Sequence, residues 1–163
     1  MKIIFDASRC RSGGALEHLR GIIANFSPDQ NIQVFIFSYS RLLKELPNDN
    51  RIVKCHSWFL ERNLFFQVFW QFFILPLYSR KLKVDLIFTL DASTVNLSRN
   101  QVVLSQDMLS YEPGIMQKFG YGFDRLRLEV ILILQNAAFR RAKGVIFLTQ
   151  YAAEIIQKHT GQL

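Results

Sequence analysis

Cysteine is scarce in this chain: Cys10 and Cys55 are its only two, far apart in sequence. That count excludes a disulfide scaffold, and the spacing is not that of a metal-ligand pair. His18, His56 and His159 share no ligand spacing either, so no metal is expected. There is no run of five like charges, no zinc-finger spacing and no RNP-like aromatic segment, which argues against a nucleic-acid partner. Neither the G-x-G-x-x-G dinucleotide fingerprint nor a G-x-x-x-x-G-K-[ST] phosphate loop occurs. The opening MKIIFDAS reaches Asp6 too soon to read as a signal peptide, so the cytoplasm is the expected compartment. A bilayer-spanning helix is also excluded. The least polar stretch, residues 63–79 (NLFFQVFWQFFILPLYS), holds no charge but includes Gln67, Gln71 and Pro76. At roughly 1.5 Å per residue it covers about 26 Å, short of the roughly 30 Å hydrocarbon layer.

What the chain does have is apolar mass. Half of its 163 residues are apolar and 13% are aromatic, enough to bury a real core and to exclude disorder. One domain is expected. Lys and Arg number 20 against 13 Asp and Glu, a net charge of +7. The cations are spread out: Arg9, Arg11 and Arg20; then Arg80, Lys81 and Lys83; then Arg125, Arg127, Arg140, Arg141 and Lys143. Such a balance suits an anionic membrane surface or phosphorylated substrates, and equally a basic domain with no polyanion partner.

Apolar runs and helical repeats alternate along the chain. Residues 2–6 (KIIFD), 32–37 (IQVFIF), 51–55 (RIVKC), 85–89 (DLIFT), 101–105 (QVVLS) and 144–148 (GVIFL) read as strands. Helical spacing marks ALEHLRGIIANF, stopped by Pro28, then a short 42–46, residues 123–142, and a last helix from Gln150 to His159, stopped at Gly161. Residues 63–79 read as a long helix with two readings: buried against a sheet, or an aromatic surface helix in a bilayer interface beside Arg80, Lys81 and Lys83. Alternating strands and helices predict an α/β fold, a Rossmann-like, mainly parallel sheet with helices on both faces.

In such sheets ligands bind at the carboxyl ends of the strands, near the switch in strand order. The first strand delivers Asp6, Ser8, Arg9, Arg11 and the SGG step with Gly13 and Gly14; the fourth delivers Asp91 and Ser93; the fifth, Gln106 and Asp107. Glycines before a helix let backbone N–H groups approach an anion, or simply make a strand–helix turn. Asp107 is either a proton or hydroxyl acceptor or a turn cap. His18, off the apolar face of the first helix, looks into the cleft or into solvent, and Arg9 and Arg11 are anion-binding or solvated.

The order DASRCRSGGALEHLRGII, DLIFTLDAS, VVLSQDMLSYEPG and RRAKGVIFLTQYAAEII resembles the N-terminal half of GT-B glycosyltransferases, more narrowly the retaining group 1, or family four. That resemblance implies an acceptor-side domain facing a donor-binding C-terminal domain across a cleft. It places Gly13 and Gly14, helped by Arg9 and Arg11, at the diphosphate of a nucleotide-sugar donor. It places Gln106 and Asp107 beside the reacting sugar, where the family often has His then Asp, and His18 and Asp91 on the acceptor side. It implies no metal or other cofactor, with the nucleotide-diphospho-sugar as substrate. The acceptor would be a saccharide or a lipid-linked one in envelope or capsule synthesis, with peripheral contact at the inner face of the membrane. The donor-side pair of glutamates eight positions apart is absent here, so the resemblance implies the acceptor half without its C-terminal partner. A non-catalytic Rossmann-like binding or assembly module and a nucleotide-binding regulator are the alternatives.

Overall fold

The structure is a computed structural model that describes residues 1–11, 14–25 and 31–161. Six strands form one all-parallel sheet in the order β3-β2-β1-β4-β5-β6: β1 Lys2–Asp6, β2 Gln33–Ser38, β3 Ile52–His56, β4 Leu86–Thr89, β5 Gln101–Ser105 and β6 Gly144–Phe147. Each predicted strand is present within a residue or so of its expected bounds, and the α/β, Rossmann-like class is correct. The connections β1–β2 and β2–β3 carry α1 (Gly14–Asn25) and α2 (Ser40–Glu45) on one face. Their apolar sides bury Leu19, Ile23, Leu42 and Leu43 on Ile3, Phe5, Val34 and Ile36. The Pro28 stop, with Phe26, lies outside the described residues, as do Ser12 and Gly13.

The chain then reverses direction across the sheet. A right-handed crossover in the opposite sense places its helix on the opposite face. So α3 (Trp58–Glu61), α4 (Leu64–Phe69), a π-helical turn Trp70–Ile74 and α5 (Leu75–Leu82) return from β3 to β4 on the second face. There Trp70, Leu75 and Leu60 pack on Ile4, Phe35, Phe37 and Ile87. The 3-10 turn Leu109–Tyr111, α6 (Ile115–Lys118), α7 (Phe123–Arg141) and, after β6, α8 (Gln150–Thr160) complete that face, where Val103, Tyr111, Phe139 and Ile156 are buried together.

Three features depart from expectation. The long helix of 63–79 is continuous in direction but not in hydrogen bonding. Pro76 has no N–H for the carbonyl four residues back, and the ladder widens: the Leu75 N–H donates to the Trp70 carbonyl, one residue farther than in an α-helix. The helix is buried on one side only: Trp70, Gln67 and Gln71 are buried, while Phe65, Phe69, Phe72 and Phe73 are exposed. Finally, β4 joins β5 through residues 90–100 without a helix. The first face over β4, β5 and β6 therefore carries no helix among the described residues, and Ile146 and Leu148 there stay 46% and 44% exposed.

Candidate functional site

The strand order switches between β1 and β4, and the carboxyl ends of those strands open a pocket of about 160 Å³. Arg9, Asp91, Gln106, Asp107 and Gln135 line it, with Leu90 and Ala92. Four of these five polar residues come from three separate segments singled out in the sequence. The fold brings them together because β1, β4 and β5 lie side by side in the sheet, with β4 in the middle.

Arg9 and Asp91 form an ion pair, Nε to Oδ2 at 2.9 Å, and Arg9 Nη1 also donates to the Ser93 carbonyl at 3.0 Å. Asp91 Oδ1 accepts from the backbone N–H and the hydroxyl of Ser93, at 2.8 and 2.7 Å. The turn after β4 thus orients its own carboxylate, and with Arg9 and Asp91 paired the lining keeps one negative charge in excess, that of Asp107. Asp107 Oδ1 accepts from the Leu109 N–H at 2.9 Å, holding the turn that starts the 3-10 helix. Its backbone carbonyl accepts from Gln135 Nε2 at 3.0 Å. Gln135, only 2% exposed, projects from α7, and its Oε1 has no hydrogen-bond partner among the described residues; nor has Gln106 Nε2. Buried amide groups are normally satisfied. An unpaired acceptor and an unpaired donor beside one pocket suit a ligand rich in hydroxyl groups.

Beneath the pocket lies a polar layer that the sequence reading did not assemble. Asp6, 2% exposed, ends β1 without a cation in contact; it accepts from the Ser8 N–H at 3.2 Å and from Gln71 Nε2 at 3.0 Å. Gln71 Nε2 also donates to Ser8 Oγ at 3.1 Å. Burial pushes the Asp6 carboxyl above the usual carboxylate range; the bonds from Ser8 and Gln71 pull the other way without cancelling it. Burial also raises the Cys10 thiol, which removes thiolate chemistry from this region. The signal for Gln71 and Gln135 was present, a lone amide inside an apolar helical run, but nothing in sequence said which strand end each would meet.

The remaining candidates are placed elsewhere. Arg11 Nη2 donates to the carbonyls of Leu60 and Arg62, both at 2.6 Å, tying the first loop to α3. Gly14 is the first residue of α1, and a Cβ there would meet nothing within 4 Å. Gly13 lies outside the described residues. His18 does not join Asp91: it lines a separate groove of about 500 Å³ on the bare half of the first sheet face, with Phe5, Ile22, Phe88, Leu104 and Ile146. That groove is larger than the polar pocket, but His18 is its one polar side chain and it lies on the flank of the sheet, away from the strand ends. No group of His, Cys, Asp and Glu able to hold a metal occurs among the described residues.

Comparison with family models, with curated proteins and with solved structures finds no match to this chain.

Proposed function

We propose that this chain is the acceptor-side half of a glycosyltransferase that moves a sugar from a nucleotide-diphospho-sugar to a saccharide or lipid-linked acceptor. The observation that carries this reading is the convergence of Arg9, Asp91, Gln106, Asp107 and Gln135 on one pocket at the switch point. Two amides, a paired Arg9 and Asp91, and the further carboxylate of Asp107 are suited to sugar hydroxyls, and a diphosphate would sit apart from that carboxylate, over the Gly14 amide at the start of α1. Asp107 and Gln106 face the reacting sugar in this scheme; Arg9 and Arg11 contribute positive potential from positions already held by Asp91 and by backbone carbonyls. Water exclusion and donor alignment would come from an opposing C-terminal domain.

Each hydrogen bond to the pocket contributes only about 0.5–1.5 kcal/mol, while fixing a free nucleotide sugar costs several kcal/mol. The chain alone is therefore expected to bind nucleotide sugars weakly and to turn none over. Calorimetric titration with a panel of nucleotide sugars, and an assay for released nucleoside diphosphate, test this. Tight donor binding or steady turnover by the chain alone would overturn the half-enzyme reading. Supplying a matching C-terminal domain should restore turnover, and Gln106→Ala should lower it without changing the melting temperature. Failure of every such pairing counts against the transferase.

The apolar groove beside His18 favours a second reading, a binding or assembly module whose function is to seat another protein on the bare half of the sheet. A stable complex that buries Ile146, formed with no effect of Gln106→Ala, would favour the module.

A further inference from the structure

The crossover helix from Leu64 to Leu82 is built inside out for a helix facing water. Its sheet-facing side contains Gln67 and Gln71, 5% and 1% exposed, beside Trp70 and Leu75. Its outer side carries Phe65, Phe69, Phe72, Phe73 and Leu77, from 36% to 71% exposed. Both glutamines bond inside: Gln67 Nε2 donates to the Arg62 carbonyl at 2.9 Å, and Gln71 bonds Asp6, Ser8 and the Val95 N–H. The rings form a continuous ladder, Phe66 on Trp58, Trp58 on Phe59, Phe59 on Phe69, Phe69 on Phe73 and Phe73 on Phe72, at centroid separations of 4.7–5.6 Å. An exposed apolar surface of this extent marks an interaction site.

Charge selects the occupant. From Arg62 to Val84 there is no carboxylate, and the four charges present, Arg62, Arg80, Lys81 and Lys83, are all positive; the one carboxylate of residues 58–61, Glu61, is bonded to Ser40 and His56. They stand at the two ends of the helix, bracketing the aromatic strip, and all four are exposed. Arg62 lies over the Trp58 ring at 4.5 Å, an arrangement that keeps the cation at the rim of the apolar surface. Aromatic rings flanked by cations, on a helix too short and too polar inside to span a bilayer, match a surface helix resting in a headgroup layer. No helix among the described residues is long and apolar enough to cross a membrane. We infer that the outer face of residues 58–83 docks on an anionic lipid surface, the rings entering the interface and Arg62, Arg80, Lys81 and Lys83 meeting lipid phosphates. This rests on the composition of one helix face and stands whether or not the chain transfers sugar.

The full chain should float with vesicles of mixed phosphatidylcholine and phosphatidylglycerol, and bind phosphatidylcholine alone more weakly by about tenfold or more. Trp58, half exposed, should be quenched by brominated lipid, while Trp70, with no exposed surface, should not. Phe72→Ser together with Phe73→Ser should abolish flotation. Arg80→Gln, Lys81→Gln and Lys83→Gln together should remove the preference for anionic lipid. Both variants alter exposed side chains, and unchanged circular dichroism would show that the fold is kept. No flotation with anionic vesicles, flotation indifferent to the phenylalanine variant, or quenching of Trp70 in place of Trp58 would each overturn the inference. So would a dimer in sedimentation equilibrium that the phenylalanine variant dissolves, which would make a second copy the occupant.

Discussion

The two halves of the sheet, divided between β1 and β4, are covered in different ways. Over β1, β2 and β3, helices lie on both faces, and residues 34–37 of β2 are all at or below 7% exposure. Over β4, β5 and β6, helices among the described residues cover one face only, and Ile146 and Leu148 remain nearly half exposed. The strands of the two halves are similarly apolar, so composition did not produce the difference. Direction of travel did. Right-handed crossovers put α1 and α2 on one face while the chain moves toward β3, and every later helix on the other face once it moves toward β6. The direct β4–β5 connection through residues 90–100 then spends its polar side chains on its own turns and on the pocket floor.

The largest expected effect sets these halves against each other. Trp70→Ala in the doubly covered half should cost about 3–5 kcal/mol in urea unfolding, as for other large buried aromatics. Ile146→Ala on the bare half should cost under about 1 kcal/mol, because that side chain already meets solvent. Equal losses would mean that the bare face is covered in solution.

Gln71→Leu should come next, at about 2–3 kcal/mol. It takes the Gln71 amide from both the buried Asp6 carboxyl and Ser8 Oγ, leaving Asp6 with Ser8 as its hydrogen-bond partner. A loss no larger than that of Gln150→Leu, on the exposed start of α8, would show that the polar layer does not act as a unit.

The pH dependence of Asp6 is smaller and has a definite sign. Its carboxyl is raised above the ordinary 3.8 by burial, so the native state keeps a proton that the unfolded chain has released. The contribution of Asp6 to stability should therefore be greatest below 3.8 and fall as pH rises through the window up to the raised native value. Asp6→Asn removes that decline, and relative to the wild type it should gain stability steadily from acidic to neutral pH in unfolding curves. A parallel pair of pH profiles would contradict the raised native value.

The smallest effect belongs to Gly14→Ala. A Cβ there meets nothing within 4 Å, so stability should rise slightly, by about 0.4–1 kcal/mol. A loss of stability would mean that the start of α1 is packed in solution as it is not here.

Much of the fold was legible from the chain. Runs such as KIIFD, IQVFIF and QVVLS are too short and too apolar for anything but buried parallel strands, and their alternation with helical repeats leaves few architectures. Arg9, Asp91, Gln106 and Asp107 were legible as residues at strand ends. Their convergence depended only on a strand order that parallel α/β chains commonly adopt. Gln135 and Asp6 were not legible as parts of the pocket and its floor: one sits in the middle of a long helix, and the other ends a strand as any turn residue does. His18 was read toward the cleft or toward solvent and lies instead against the bare sheet face, because the rotation of α1 is set by Leu19 and Ile23 packing inward.

Residues 64–82 show where the division falls. Local composition determined that this stretch would be helical, short of a bilayer and bent in its hydrogen bonding at Pro76. Which side faced inward was decided by the sheet. Asp6 and Ser8 stand beneath the helix, and burying a carboxylate and a hydroxyl without donors costs more than leaving several phenylalanines in contact with water. Gln71 supplies those donors only when it points in, and the helical period then carries Phe72 and Phe73 to the outside.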